Sequence, residues 1–374
     1  MEVYNAFLAH NAYPRVFPKV TGLNFSSNDY LGLSKHPLLI ARSQEYAEKW
    51  GVGAASSRLV AGNIPIYDEL EAKLARFLRK PAALILASGY QTNTSVLEAL
   101  LDPGILGQKA HVFCDRFCHN SLLAMTRHIS HVHRFQHNDL SHLKRLLDQY
   151  ANDASPRFII IESLYSMEGD QADLPGVIAL AKHYNAMLYV DDAHAVGIYG
   201  KEGAGLTADY PEIDVVMGTF SKAMGSFGGY VATSLPLKNY LINRCKGLIY
   251  STGLSPAILG AIAGALECVP KMQQERTQLW QKVDDLRQFF LSENMDIGRA
   301  HSPILPWIVG EANKTLLLSA KLKEQGIHAV TIRPPSVPYG KSRIRFCLSV
   351  SHRAEDIARL KESVAHVKRC HELF

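Results

Sequence analysis

No stretch of this chain approaches the roughly 18 consecutive apolar residues that would span a bilayer, so a helical membrane anchor is not expected. There is no block of one charge either. The 40 Lys and Arg stand against 35 Asp and Glu, a formal balance of +5, and the cations are scattered, which argues against a nucleic-acid tail. A mild positive excess suits a protein that gathers phosphates and carboxylates. The opening Met1-Glu2-Val3-Tyr4 lacks a basic region followed by an apolar core, so a cytoplasmic protein without a secretory signal is expected. The six cysteines, at 114, 118, 245, 268, 347 and 370, lack the spacing of a disulfide framework and read as reduced thiols. Internal repeats and low-complexity linkers are missing too. What is present is 374 residues, 47% hydrophobic and 20% charged, enough for a large globular core in two domains.

The pattern is strand–helix alternation. Asn63 reads as the cap of a helix carrying Ile66, Leu70, Leu74, Phe77 and Leu78 on one face. Buried strands are expected over 82–87, 110–114, 132–135, 158–161, 186–190 and 213–217. Helices are expected over 93–101, 121–128, 140–150 and 174–184. Short apolar strands separated by amphipathic helices predict an α/β domain around a mostly parallel sheet with helices on both faces. Beyond Tyr240 the character changes. A helical stretch from Pro256 to about Glu293 should break at Pro270. Strands over 304–309, 327–332 and 343–348 then alternate with helices, the last carrying Ile357, Leu360, Val364 and Val367. We expect an arm over 1–35, a large domain over 36–266 and a smaller α+β domain over 267–374.

In parallel sheets ligands bind beyond the carboxyl ends of the strands. Gly89 and Tyr90, Asp115 and His119, Glu162 and Ser166, Asp191 and His194, and Thr219 and Lys222 all fall there. Asp191 follows the apolar Met187-Leu188-Tyr189-Val190. A carboxylate so placed needs a cationic or hydrogen-bonding partner: a metal, a protonated cofactor ring nitrogen, or the amides of the next turn. The run of histidines between 128 and 142 suggests a metal, but strand alternation sends neighbours to opposite faces and the five cannot converge. Cys114-x-x-x-Cys118-His119 misses the haem spacing. Lys222 sits in T-F-S-K between an apolar run and the glycine-rich Gly225-Ser226-Phe227-Gly228-Gly229, with room for a bulky partner on its amine. Taken together, a lysine, a strand-end aspartate, a ring-bearing His119 and small-residue loops match what pyridoxal phosphate needs. These are a Schiff-base lysine and an acidic partner for the pyridinium nitrogen.

Nine ordered motifs extend the match: N-F-S-S-N-D-Y-L-G-L, S-G-Y-Q-T-N, D-R-F-C-H-N-S-L, H-N-D, S-M-E-G-D, V-D-D-A-H, T-F-S-K, I-Y-S-T and I-R-P-P-S-V-P. From about Leu23 to the C-terminus the chain resembles the α-oxoamine synthase family of fold-type I pyridoxal-phosphate transferases. The resemblance implies that Lys222 binds the cofactor covalently and later moves the substrate's Cα proton. It implies that Asp191 faces the ring nitrogen and His119 stacks on the ring. His194 and Ser166 would meet the phenolic oxygen, while Gly89, Tyr90 and Thr219 hold the phosphate. It also implies a homodimer with shared sites, Ser251 and Thr252 reaching the partner's phosphate. Asn28 and Arg345 would bind the substrate carboxylate, and Ser336 the acyl substrate. The form of Ile332–Pro338 favours L-alanine and a pimeloyl thioester, carried by coenzyme A or acyl carrier protein. Sister activities such as glycine C-acetyltransferase, or a catalytically silent partner subunit, are the alternatives. Relatives carry a longer leader with a substrate-binding arginine, for which Arg15 is the candidate.

Overall fold

The structure, a computed structural model, describes residues 19–372. Its centre is a seven-stranded sheet: β1 (Ala82–Leu86), β2 (His111–Asp115), β3 (His131–Phe135), β4 (Arg157–Glu162), β5 (Ala186–Asp191), β6 (Val215–Thr219) and β7 (Gly229–Thr233). The spatial order is β1-β7-β6-β5-β4-β2-β3. The strands β2 to β6 run parallel, whereas β7 is antiparallel to both of its neighbours. Alternate residues enter different cores. Phe113, Ile159, Ile161, Leu188 and Val216 fill one face, and Val112, Ile160, Tyr189, Val215 and Met217 the other. Burial on both sides is why these strands read as continuous apolar runs.

The sheet is the mostly parallel α/β sheet expected, with four local differences in and around it. β7 and the helix Leu235–Arg244 were not foreseen, because Gly228-Gly229 and Pro236 read as punctuation. The segment 220–228 that joins β6 to β7 is too short for a helical crossover, so the chain must turn back antiparallel. The expected turn at Ser88-Gly89-Tyr90 is the first turn of a helix, Gly89–Leu100, whose Ser88 Oγ accepts from the Gln91 amide at 3.2 Å. Asn63 caps nothing. The helix Ile66–Phe77 starts behind Pro65, and Asn63 Oδ1 accepts from Arg58 Nε at 2.9 Å instead. The single helix expected over 121–128 is two short ones, Asn120–Leu123 and Thr126–Ile129.

Pro270 ends the long helix as anticipated: Pro256–Cys268 and Gln273–Ser292 are separate. The C-terminal part holds an antiparallel sheet, β8 (Ile304–Gly310), β9 (Val330–Ile332) and β10 (Ser342–Cys347), in the order β9-β10-β8. The strand expected over 327–332 is divided. Ile327 and His328 pair instead with Leu23 and Asn24. Further along, the Cys347 amide donates to the Phe25 carbonyl (2.7 Å) and the Val350 amide to that of Tyr30 (2.9 Å). The segment 23–30 is thereby stitched to the C-terminal part, beside the open ends of the parallel strands.

Candidate active site

Lys222 lies on the hairpin between β6 and β7. The Thr219 and Gly229 pair closes the ladder. The Phe220 amide donates to the Gly228 carbonyl at 3.1 Å, Ser226 to Phe220 at 2.8 Å and Gly225 to Lys222 at 2.9 Å. Gly225 takes φ +62°, and a Cβ there would meet the Leu33 backbone at 2.4 Å. This glycine therefore serves a left-handed turn packed on the N-terminal segment rather than clearing space for the amine. Lys222 is partly exposed. The surrounding protein draws its pKa down to about 8, while the charges of Asp191 and Glu162 hold it up and Arg345 pushes it further down.

Asp191 and Glu162 are register partners at the ends of β5 and β4. Asp191 is buried and accepts from Asn93 Nδ2 (2.8 Å, Oδ2) and the Ala193 amide (3.0 Å, Oδ1). Asn93 is oriented in turn by Tyr189, whose hydroxyl donates to Asn93 Oδ1 at 2.8 Å, and Asn93 also donates to Ser121 Oγ at 2.9 Å. Burial, then the neighbouring charge of Asp191, pushes the Glu162 carboxyl up to about 8. Glu162 accepts from the amides of His119 (2.5 Å) and Ser166 (3.3 Å). One carboxyl thus pins the two loops that carry those expected cofactor contacts. The His119 ring opens onto the cleft, its Nδ1 2.7 Å from Ser121 Oγ. The enclosing protein holds this imidazole below its ordinary range against the pull of Asp191.

A second network starts at His194, which is buried, its Nδ1 2.8 Å from the hydroxyl of Tyr30. That hydroxyl lies 3.2 Å from Asn28 Oδ1, which also accepts from Arg345 Nη2 at 2.8 Å. Arg345 is buried, and its Nε has no hydrogen-bond partner. A buried guanidinium with an unused edge is a site for a planar carboxylate. Cys347, two residues on along β10, is also buried, its thiol 3.8 Å from Asn28 Oδ1. At the other end of the cleft the helix Gly89–Leu100 starts with the amides of Gly89 and Tyr90 unused by helical bonding, as in any first turn. A Cβ on Gly89 would sit 3.3 Å from Thr219 Oγ1. That hydroxyl donates to Gly228 (2.7 Å) and lies 2.9 Å from Ser221 Oγ.

The sequence-predicted residues therefore fall into groups. Lys222, Asp191 and His119 share one electrostatic neighbourhood, with Ser166 held to it through Glu162. His194, Asn28 and Arg345 share the hydrogen-bonded chain through Tyr30. Gly89, Tyr90 and Thr219 form the helix-start cradle. Ser251 and Thr252 stand apart on a partly open turn, Thr252 bridged to Ser57. Ser336 lies on an exposed loop, its amide donating to the Arg333 carbonyl at 3.0 Å. Arg15 lies outside the described residues. Asn93, Glu162, Tyr30 and Ser221 were not singled out by roles in this site. The signal for Tyr30 was its place in N-D-Y-L-G beside Asn28, and for Glu162 its place at a strand end.

The histidines of the run do not converge. His131 and His133 cluster with His111 and Tyr150 beside β2 and β3, and His142 Nδ1 accepts from the Gln136 amide at 3.0 Å. His137 is clamped between Asp115 (3.1 Å) and Asp170 (3.0 Å), which belong to the loops leading to His119 and away from Ser166. No group of three or more metal-ligating side chains is present among the described residues. Cys114 and Cys118 are buried free thiols. A cavity of about 520 Å³ beside Lys80, Asp214 and Tyr240 lies at the opposite end of the strands and holds none of the candidate residues.

The family model for class I and II aminotransferases matches residues 20–364. An 8-amino-7-oxononanoate synthase of Gluconacetobacter diazotrophicus is 45% identical over 93% of this chain and 88% of its own length. One of Trichlorobacter lovleyi is 40% identical over 95% and 91%. Among solved structures, an SPT holding PLP superposes with a TM-score of 0.87 at 25% identity, over 94% of this chain and 89% of that one. The 8-amino-7-oxononanoate synthase of Francisella tularensis gives 0.79 at 25% identity, over 94% and 99%.

Proposed function

The chain belongs to the class I and II aminotransferase family, in the group of the 8-amino-7-oxononanoate synthases, and is a pyridoxal-phosphate-dependent enzyme, and from that premise we propose that it joins L-alanine to a pimeloyl thioester in biotin biosynthesis. The alanine Cα bonds to the acyl carbon, the carrier leaves as free thiol, and the alanine carboxylate leaves as CO2. The product is 8-amino-7-oxononanoate. The observation that carries this reading is the conjunction of Lys222, Asp191 and the Asn28–Arg345 pair in one cleft of a chain so similar to enzymes of that name.

The donor set fits the cofactor. Lys222, whose amine is drawn toward neutral pH, would hold it covalently. Asp191, fixed by Asn93 and the Ala193 amide, would face the ring nitrogen and keep it protonated. The Gly89 and Tyr90 amides would take the phosphate at the helix N-terminus, with Thr219 beside them. His119 would lie on the ring face, and Ser166 and His194 by the phenolic oxygen. When bound, the cofactor supplies an electron-withdrawing ring for the bonds at the amino acid Cα. Arg345 would grip the substrate carboxylate with its unused edge. Lys222, once displaced, would take the Cα proton. Ser336 would meet the acyl chain.

Ser251 and Thr252 would serve the phosphate of a second copy, in a homodimer. The support is apolar surface at that turn: Val52, Leu59, Val60 and Tyr250 are all exposed near the Ser57–Thr252 bridge, and such a patch marks an interface.

The test is turnover of L-alanine, glycine and L-serine with pimeloyl and short acyl thioesters, on coenzyme A and on acyl carrier protein. Alanine with a pimeloyl thioester should be preferred. Preferred use of glycine with acetyl thioester would sink the proposal. Borohydride should fix the cofactor on the peptide bearing Lys222, as read by mass spectrometry. A Lys222→Ala protein with full turnover would contradict the assignment.

A further inference from the structure

Tyr30 has no place in the chemistry set out above, yet its side chain is fully buried between two parts of the site. Its hydroxyl carries a single hydrogen and has two neighbours able to take it, His194 Nδ1 in one of its tautomers, at 2.8 Å, and Asn28 Oδ1 at 3.2 Å. Asn28 Oδ1 already accepts from Arg345 Nη2 at 2.8 Å, so it is the less needy acceptor. The backbone fixes the arrangement: the Tyr30 amide donates to the Asn28 carbonyl at 2.8 Å, and the Tyr30 carbonyl accepts from Val350 at 2.9 Å.

A neutral imidazole has one N–H and one bare nitrogen, and the partner of one nitrogen decides the state of the other. The groups that face His194 are Lys222, Arg345 and His119, and together with burial they hold its pKa well down. Its ring is therefore neutral, and which nitrogen carries the hydrogen is set by contact. Burial likewise keeps the Tyr30 phenol protonated.

We propose that Tyr30 is a positioning residue that donates to His194 Nδ1 and so fixes His194 as the Nε2–H tautomer, while tying it to the Asn28–Arg345 carboxylate clamp. This rests on the reading that His194 addresses the phenolic side of the cofactor. Nε2 then presents a donor to an oxygen that needs one. The same hydroxyl is the link between cofactor side and substrate side. If a bound carboxylate draws Arg345 away from Asn28, Asn28 Oδ1 competes for the Tyr30 hydrogen and His194 feels the occupied clamp.

The experiment uses cofactor-free protein with 15N-labelled histidine, His194 being assigned by its loss in a His194→Gln variant. Nδ1 of His194 should resonate as an unprotonated nitrogen in the parent. In Tyr30→Phe the tautomer population should shift toward Nδ1–H. In Asn28→Ala, which removes the competing acceptor and also frees Arg345 Nη2 but leaves the Tyr30–His194 pair in place, it should stay as in the parent. In the loaded enzyme Tyr30→Phe should lower kcat about twofold to tenfold, the worth of one neutral hydrogen bond, and shift the pH at which the cofactor absorbance changes. Nδ1–H in the parent, or an unchanged tautomer in Tyr30→Phe, overturns the inference. If Tyr30→Phe fails to fold, the parent and Asn28→Ala spectra still decide it. The tautomer readout needs no substrate, so an enzyme that rejects alanine but passes this test loses only the substrate reading.

Discussion

His137→Gln removes a cation from between two buried carboxylates and keeps a hydrogen-bonding side chain of similar reach. Burial alone would lower the pKa of His137, but the hydrogen bonds and charges of Asp115 and Asp170 raise it to about 10 from an ordinary 6.5. A raised pKa means the folded state binds the proton more tightly than the unfolded state. The stabilisation is full below pH 6.5, persists through neutrality, and is lost as pH rises through about 10. At ~1.36 kcal/mol per pKa unit, the clamp contributes roughly 4 kcal/mol near neutrality. Most of that is gone by pH 10. Urea unfolding followed by circular dichroism at pH 7 and pH 10 should show the parent losing several kcal/mol more than the variant over this interval. At pH 7 the variant should be less stable by a similar amount, because two buried carboxylates lose their counter-ion. Parallel pH profiles for parent and variant would refute the reasoning, since His137 would then carry no charge worth counting.

Two further perturbations separate substrate from cofactor. Arg345→Lys replaces a planar fork by a point charge; losing a charge-assisted bond worth ~1.5–3 kcal/mol should raise the amino acid KM roughly 10–100-fold. Cofactor absorbance per protein should not change, and a change confined to the acyl thioester KM would count against the carboxylate role. Asn93→Ala strips Asp191 Oδ2 of its donor and leaves the buried Tyr189 hydroxyl unpaired, a loss of ~1–3 kcal/mol. Equilibrium dialysis should show the cofactor Kd rising roughly 10–100-fold, and undiminished retention would remove Asn93 from the site.

The parallel strands and the residues at their ends were legible because burial on both faces writes a continuous apolar run that stops where the polar ligand-facing residue begins. Asp191 and Thr219 are such stops. Asn93 and Tyr30 were hidden for a different reason. Each acts through side-chain hydrogen bonds that reach residues far away in sequence, and no local pattern encodes that. β7 was hidden because its glycines satisfy a hairpin and a close approach, which in sequence look like the end of structure rather than a turn into the next strand. The glycines after Lys222 were read as clearance. Gly225 shows them to be packing, since its left-handed turn lies against Leu33.

The proposed carboxylate clamp draws its two halves from opposite ends of the chain, Asn28 from the segment stitched to the C-terminal part and Arg345 from β10. During synthesis, Lys222, Asp191 and the helix-start cradle emerge well before Arg345 leaves the ribosome. The Asn28–Arg345 contact can therefore form only after β10 has been made, later than the neighbourhood of Lys222, Asp191 and Glu162.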